Sequence, residues 1–326
     1  MHNCTLIEAI TAALHRAMAD DPNVLLLGED IGVNGGVFRA TEGLQAEFGP
    51  ERVIDTPLAE ALITGVAIGM ATQGLRPVAE IQFSGFLFPA MEQLATGAAR
   101  LRNRTRGRLA CPMVVRAPCG GGIHAPEHHS ESLEALFAHL PGLRVVMPSS
   151  PGRAYGLLLA AIRNPDPVLF LEPKRIYRSV KSDVIDDGQA LPLDRCFVLR
   201  EGSDMTLVTW GATVIESLQA ADQLLAQGVS VEVIDLATIK PFDVETILAS
   251  VRKTGRLVIA HEGPQSFGVG AEIAAQVAEQ ALLDLRAPIA RVAGYDTIMP
   301  LPQGEHFYLV RSEDISQACV RTLAFE

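Results

Sequence analysis

One acidic residue stands at the start of an apolar, glycine-containing stretch that spans residues 55–74. Pro57 fixes the backbone for a helix start, which places Glu60 in the first helical turn. Gly65 and Gly69 follow, although a glycine inside a helix costs about 1 kcal/mol relative to alanine. A helix that accepts this cost usually lies close to another backbone or to a ligand. The pattern predicts a carboxylate in a dry, crowded place, although acids also favour helix starts for purely electrostatic reasons.

A glycine-rich loop with three histidines is the second stretch suited to chemistry. It spans residues 119–130 and follows a predicted strand, where open α/β sheets place ligand sites. Its glycine spacing does not match a nucleotide-binding fingerprint. A zinc-dependent hydrolase using His124, Glu127 and His128 is one hypothesis, but Pro126 prevents the continuous helix of an H-E-x-x-H site. The alternatives are a solvated polar loop and a catalytic loop whose histidine transfers protons near neutral pH.

Other candidate residues lie at the ends of predicted strands. Phe83 and Phe86 either fill the core or form a flat wall for a heteroaromatic cofactor. Glu29 lies at the mouth of the first apolar strand. The chain has no G-x-x-x-x-G-K-[ST] segment, and no Gly-Asp-Gly segment followed by paired asparagines. It therefore lacks a diphosphate cradle of its own.

Short apolar strands alternate with helices and must position these residues. Thr5 and Glu8 form a capping box before a first helix, Pro151 begins another, and a long helix is predicted over 86–102. Strands are predicted at 23–27, 52–54, 77–83, 113–116, 143–147, 168–171, 205–209, 231–234, 257–260 and 289–292. This alternation predicts an α/β fold with two doubly wound domains, each with a parallel sheet covered on both faces.

Length and composition set further bounds. A chain of 326 residues favours two domains, predicted at 1–180 and 196–326 with a linker at 181–195. The net charge of −11 argues against nucleic acid or an anionic membrane as partner. Five scattered cysteines, without a C-x-x-C pair, indicate reduced thiols. We expect a cytoplasmic protein, because we find neither a signal peptide nor a membrane-spanning apolar run.

Several segments in order carry a resemblance to a known family. They are Leu27–Asp30, Arg52–Glu60, Gly74–Val78, Gly120–Ser130, Pro141–Val146 and Phe170–Lys174. Over essentially its whole length the chain resembles the β subunit of the thiamine-diphosphate-dependent decarboxylating component of 2-oxo acid dehydrogenase complexes. The resemblance implies transketolase-like domains, a pyrimidine-binding domain followed by a C-terminal domain.

The resemblance also implies roles for individual residues. Glu60 would hydrogen-bond the pyrimidine nitrogen of thiamine diphosphate and stabilise its imino tautomer, and Phe86 would stack on that ring. Leu58 and Gln82 would complete the cofactor surface. His129, favoured over His128, would assist proton transfer and reductive acylation of a lipoyl group. Glu29 would lie in a polar path between paired active sites.

The implied ions and partners lie partly outside this chain. The diphosphate and magnesium would be bound by an α subunit, in an α2β2 heterotetramer with a second β chain and a lipoyl acyltransferase core. Glu262 and the C-terminal residues are candidates for docking that core. Relatives also hold a structural potassium ion, and the matching positions are Met113, Ala161, Ile162, Asn164 and Asp166.

The resemblance leaves the substrate open. Gly120–Glu127 favours pyruvate, whereas Glu172–Arg175 also occurs in branched-chain enzymes, and acetoin is a further alternative. A zinc hydrolase and a non-catalytic binding subunit are hypotheses of other classes, and the presence of Glu60 and His129 argues against the second. The expected activity is oxidative decarboxylation of a 2-oxo acid, with pyruvate favoured, and acyl transfer to lipoyl-lysine.

Overall fold

A computed structural model describes residues 2–325. The strands of the first half are β1 (His2–Thr5), β2 (Val24–Gly28), β3 (Val53–Asp55), β4 (Arg76–Glu80), β5 (Val114–Cys119), β6 (Arg144–Val146), β7 (Val168–Pro173) and β8 (Lys181–Val184). Its helices are α1 (Leu6–Asp20), α2 (Leu44–Phe48), α3 (Glu60–Thr72), α4 (Leu87–Glu92), α5 (Leu101–Arg104), α6 (Glu134–Ala138) and α7 (Pro151–Arg163).

The second half repeats the alternation of strands and helices. Its strands are β9 (Phe197–Arg200), β10 (Met205–Thr209), β11 (Val231–Asp235), β12 (Thr238–Lys240), β13 (Leu257–Pro264) and β14 (Ala290–Gly294). Its helices are α8 (Val214–Leu225), α9 (Val244–Thr254), α10 (Val269–Ala281), α11 (Glu305–Tyr308) and α12 (Ser312–Leu323). Within residues 2–325, no helix combines the length and apolarity needed to cross a bilayer.

Two mainly parallel sheets organise these elements, as the sequence predicts. The first has the order β12-β6-β7-β5-β4-β2-β3 and the second the order β14-β13-β10-β11-β9. Along β2, Leu25 and Leu27 pack in the cluster that contains Ile63 of α3, whereas Leu26 packs on the other face with Leu14 of α1. Both faces of the first sheet are therefore buried, which explains the continuous apolar run of its strands.

The connection between the domains differs from a plain linker. β8 lies inside the predicted linker 181–195 and pairs antiparallel with β1 at the start of the chain. Beyond it, β12 leaves the second half and pairs antiparallel with β6 at the edge of the first sheet. The sequence did not predict this strand, because three residues between two strong elements carry too little periodicity.

Local signals placed the helix starts correctly. Thr5 accepts the backbone N–H of Glu8, and Glu8 accepts that of Thr5 at 2.7 Å, which confirms the capping box of α1. Pro151 occupies the first turn of α7, as predicted. These residues satisfy or remove backbone donors that a helix start leaves unpaired.

The segment predicted as one long helix over 86–102 is helical for most of its length, but it is not a single α-helix. α4 ends at Glu92, a π-helical segment spans Gln93–Ala98, and α5 begins at Leu101. A methyl group at Gly97 of this segment would lie 2.8 Å from Cδ1 of Ile68 in α3. The wide turn thus coincides with close packing against α3, a tertiary effect that the periodicity of the segment does not carry.

Candidate functional site

Glu60 begins α3 at the edge of the first sheet where the parallel strands have their carboxyl ends. Its side chain is half-buried and makes no hydrogen bond or ion pair within residues 2–325. The apolar side chains around it are exposed to solvent, Leu58 by 69% and Leu62 by 49%. A free carboxylate thus lies among exposed apolar groups, which is an unusual surface for a chain without a partner.

The glycines of α3 are not covered in the way that the sequence predicts. A Cβ at Gly65 would meet only the side chain of Gln93, at 3.7 Å. At Gly69, apart from its chain neighbours and the backbone of α3 itself, no atom of the described residues lies within 4 Å of such a Cβ. The expected close approach of another backbone is therefore not made within the described part of the chain, and this face of α3 is open.

Glu29 follows β2 at the same edge of the sheet and is affected by the negative charge of Glu60. Burial, with the charges of Asp30 and Glu60 adding to it, raises the pKa of Glu29. Gln82 follows β4 and is half-buried, whereas Leu58 lies in the turn before α3. The structure thus brings Glu29 near Glu60 and leaves Leu58 and Gln82 on the same edge, where parallel α/β sheets bind ligands.

His129 lies against two aromatic rings. Its ring centroid is 4.5 Å from that of Phe83 and 5.2 Å from that of Phe86, both in edge-to-face geometry. Its Nδ1 atom is buried and has no hydrogen-bond partner among the described residues. His128 is exposed and lies 5.8 Å from Phe86. Phe83 and Phe86 therefore hold the imidazole ring of His129, and its buried Nδ1 lacks the hydrogen-bond partner that buried polar atoms normally have.

The loop that carries His129 is packed tightly on the segment that carries Phe86. The hydroxyl of Ser84 donates to the carbonyl oxygen of Glu131 at 2.7 Å. A side chain at Gly85 would collide with the carbonyl oxygen of His128. Only glycine permits this approach, so the position of His129 relative to Phe86 is fixed by backbone contact.

Two carboxylates of the second domain hold the glycine-rich loop, and sequence reasoning missed this role. Glu262 accepts the N–H of Gly121 at 2.7 Å. Glu305 accepts the N–H groups of Gly122 at 2.6 Å and His124 at 3.0 Å. Glu262, the candidate for docking a core protein, is thus used inside the chain. No local pattern could pair residues more than 140 positions apart.

Lys174 supports the same loop from β7. Its ammonium group is buried and donates to the carbonyl oxygen of Gly120. Burial lowers the pKa of Lys174 to about 8, while the negative charges of Glu262 and Glu305 act against that shift. The loop is therefore bound on its carbonyl side by a cation and on its N–H side by carboxylates.

A buried ionic network lies beneath the loop and was also missed. The guanidinium of Arg116, 2% exposed, donates to Glu172 at 2.6 Å and to Glu80 at 2.8 Å. Tyr177 donates its hydroxyl to Glu172 at 2.5 Å. Burial raises the pKa of Glu80, and Arg116 acts against that shift. The signal available in the sequence was a charge in each of three apolar strands, which is rare unless the charges are paired.

The structure does not support the zinc hypothesis. Across residues 2–325, no three His, Cys, Asp or Glu side chains come together as a metal site. Instead, Nδ1 of His124 contacts Glu305 at 3.0 Å, while His128 points to solvent near Phe86. Pro126 separates the two histidines in an extended turn, as the sequence argument anticipated.

The potassium candidates lie together at the opposite, amino-terminal edge of the sheet. Arg76 donates to the carbonyl oxygen of Ile162 at 3.0 Å, and Arg102 donates to Asp166 at 2.6 Å. Asn164 accepts the N–H of Asp166 through its side-chain oxygen at 2.9 Å. Carbonyl, amide and carboxylate oxygens suit a hard cation, but arginines already occupy part of this set.

Comparisons with known proteins agree with this architecture. The family described as "Transketolase, pyrimidine binding domain" matches residues 2–180, and "Transketolase, C-terminal domain" matches residues 194–315. A split-gene transketolase, solved as an inactive β4 tetramer, superimposes with a TM-score of 0.81 at 25% identity over 99% of both chains. Transketolase of Pichia stipitis shares the fold (TM-score 0.73, 14% identity), with this chain matching 46% of its length. These matches define a two-domain chain of the transketolase type.

Closer relatives cover the full chain. Pyruvate dehydrogenase E1 component subunit beta of Acholeplasma laidlawii is 52% identical over 98% of both chains. The protein of the same name in Bacillus subtilis is 48% identical over 100% of both. The chain belongs to the family of pyruvate dehydrogenase E1 component β subunits.

Proposed function

We propose that this chain, together with an α subunit, catalyses the oxidative decarboxylation of pyruvate and passes the acyl group to lipoyl-lysine. The observation that carries the proposal is the full-length similarity to relatives named pyruvate dehydrogenase E1 component subunit beta. The free carboxylate of Glu60 beside Glu29 and the buried nitrogen of His129 support it, because they supply proton-transfer groups at one edge of the sheet.

The cofactor proposed for this site is thiamine diphosphate, with its pyrimidine half on this chain. When bound, it supplies a nucleophilic carbon and an electron sink. Glu60 hydrogen-bonds the pyrimidine nitrogen, and Phe86 offers a ring for stacking, with Leu58 and Gln82 completing the surface. The residues fit this group because Glu60 has no partner among residues 2–325 and Leu58 is exposed. The diphosphate and magnesium belong to the α subunit in this proposal.

His129 and Glu29 handle protons in this proposal. His129 holds its ring against Phe86, so a proton at its imidazole lies beside the proposed pyrimidine position. Glu29 has a raised pKa and therefore retains a proton at higher pH than an ordinary glutamate, which suits a relay between carboxylates. Both residues lie where an incoming chain would exclude water from the site.

An α subunit, a second β chain and a lipoyl acyltransferase core are the proposed partners, in an α2β2 assembly. Apolar side chains are exposed next to the open Gly69: Leu58, in the turn before α3, by 69%, and Leu62 and Val66, on α3, by 49% and 41%. An exposed apolar helix face of this kind is typical of subunit interfaces. The split-gene transketolase of the same fold is described as inactive when it forms a β4 tetramer.

Two further assignments follow from the same proposal. A potassium ion would have a structural role in this proposal. It would share oxygen ligands with Arg76 and Arg102, and those ligands come from Met113, Ala161, Ile162, Asn164 and Asp166. The bacterial relatives favour a cytoplasmic location.

Reconstitution tests the proposal. The chain is mixed with its α subunit and thiamine diphosphate, and turnover of pyruvate is compared with turnover of branched-chain 2-oxo acids and acetoin. We expect pyruvate to give the highest kcat/KM. A preference for branched-chain acids would change the assigned substrate but not the reaction. The segment Glu172–Arg175, which also occurs in branched-chain enzymes, makes this the specific alternative to pyruvate. No cofactor-dependent turnover of any of these substrates would overturn the proposal.

A further inference from the structure

An arginine-rich segment lies at the edge of the first sheet opposite Glu60 and His129. Residues 100–108 contain five arginines and no acidic residue, in a chain of net charge −11. All five are exposed, at every second position: Arg100, Arg102, Arg104, Arg106 and Arg108. Such a concentration of positive charge on an acidic protein attracts anions locally against the field of the whole molecule.

A cavity of about 660 Å³ opens beside this segment, between the two domains. Its charged walls include Arg102, Arg106, Arg144 and Lys240, the last from the strand that crosses between domains. Leu143 and Pro241 provide apolar surface. The volume falls in the range of small-molecule sites, which combine apolar walls with a few charged groups.

The positive charges of this cavity are not all neutralised by the protein. Arg102 pairs with Asp166 at 2.6 Å, and Arg144 pairs with Asp194 at 2.7 Å. Arg106 and Lys240 have no carboxylate oxygen within 4.0 Å in the described chain, residues 2–325. Two unpaired cations therefore face a cavity in which the acidic residue of the lining, Asp166, is already bound.

The backbone beneath Arg106 is in an unfavourable conformation. Arg106 has a φ of +55°, in the left-handed region, and the next residue is Gly107. For a residue other than glycine this conformation costs about 1 kcal/mol or more. The turn holds the Arg106 side chain at the cavity in spite of that cost.

We propose that this cavity binds a phosphate-bearing small molecule of nucleotide size. Arg106 and Lys240 bind the phosphate oxygens, with Arg102 and Arg144 adding positive field. The apolar or heterocyclic part of the ligand packs on Leu143 and Pro241. Phosphate oxygens are favoured because guanidinium and ammonium groups both form charge-assisted hydrogen bonds with them.

The test is a calorimetric titration of the purified full-length chain with ADP. Adenosine and inorganic phosphate are titrated separately as probes of the two parts of ADP. We expect ADP to bind more tightly than either part, with an affinity that falls as salt rises. Arg106→Gln and Lys240→Gln should each weaken ADP binding at least about tenfold, the loss of one charge-assisted contact.

Two further variants separate binding from folding. Arg321→Gln, on α12, removes an exposed arginine that has no ion pair in the described residues, and should leave ADP affinity unchanged. Arg106→Gly removes the guanidinium and relieves the left-handed backbone, so it should lose ADP binding without a lower melting temperature. Absence of ADP binding, or equal losses in Arg106→Gln and Arg321→Gln, would overturn the proposal. The proposal would also be overturned if binding of the α subunit alone covered these arginines, because the surface would then be a protein interface.

Discussion

The candidate site has two halves that are built differently. The half around His129 is completed within the chain, since Glu262, Glu305 and Lys174 bind the loop and Phe83 and Phe86 hold the imidazole. The half around Glu60 has no internal hydrogen bond and is surrounded by exposed apolar side chains, with glycines facing open space. The difference teaches that one half is preorganised within the chain, whereas the other is left open, as the proposed pairing with a second chain requires.

The largest effect should follow from Glu60→Gln. Loss of the carboxylate removes the proposed proton relay to the pyrimidine ring while keeping the shape of the side chain. We expect kcat with pyruvate to fall by roughly three orders of magnitude in the reconstituted α2β2 enzyme, in the range found for lost acid–base groups.

Size-exclusion chromatography should show the same assembly for this variant as for the wild type. Glu51→Gln, an exposed glutamate just before β3, is the matched control and should retain full activity. Turnover near the wild-type value in Glu60→Gln would remove Glu60 from the mechanism.

His129→Ala tests the preorganised half. We expect acyl transfer to a lipoyl domain to fall about a hundredfold, because the group that supplies a proton there is lost. The loop should keep its position, because Ser84, Glu262, Glu305 and Lys174 hold it without the His129 ring. His128→Ala, in an exposed neighbour, should transfer acyl groups normally. Equal losses in both variants would mean that the loop, and not His129, is what the reaction needs.

Acid should weaken the half held by the second domain, through His261. This buried ring stacks on Trp210 at 4.7 Å, and Trp210 donates to Glu134 at 3.4 Å beneath the loop. Burial, with the nearby charge of Arg291, lowers the pKa of His261 to about 4. The unfolded chain then binds more protons between about pH 6.5 and pH 4, so stability falls as the pH falls through this window.

At pH 5 this group alone should cost about 2 kcal/mol of unfolding free energy relative to pH 7.5. His261→Phe keeps the stacked ring and should remove that part of the pH dependence, measured by urea unfolding with the fluorescence of the single tryptophan. His139→Gln, in an exposed histidine, should leave the wild-type difference in place. An identical pH dependence in His261→Phe and wild type would show that His261 does not cause it.

Glu305→Gln should give the smallest effect. Each carboxylate oxygen of Glu305 accepts one backbone N–H, so replacing one oxygen by an NH2 group leaves one of these N–H groups without its acceptor. We expect faster hydrogen exchange at residues 120–124 and a loss of acyl transfer of about fivefold to tenfold, the equivalent of one weakened bond. Glu127→Gln, in an exposed residue of the same loop, is the control. Unchanged exchange would mean that Glu262 and Lys174 suffice to hold the loop.

The sequence predicted those parts of the fold that local chemistry determines. The capping box of α1, Pro151 at the start of α7 and the apolar strands are short-range signals, and the structure contains them. The single helix predicted over 86–102 is interrupted in the structure, where packing of α3 against Gly97 accompanies a π-helical turn. Local periodicity carries no information about such a contact.

For the site, the sequence named the candidate reacting groups but not the residues that support them. Glu60 and Phe86 stand out through a helix start and an aromatic residue near a strand end. Glu305 and Glu262 have no local signature, because each acts on a loop more than 140 residues away. Arg116 is visible as a charge in a buried strand, yet its partners follow only from the order of the strands.

Strand β12 has a consequence for biosynthesis. The outer side of β6 in the first sheet is paired by β12, residues 238–240, which lies more than fifty positions after β8 in the chain. As the chain emerges from the ribosome, the first domain must therefore wait with an unpaired strand until the first third of the second domain has followed it. A fragment that stops at the linker would keep β6 as an unpaired edge strand and should self-associate.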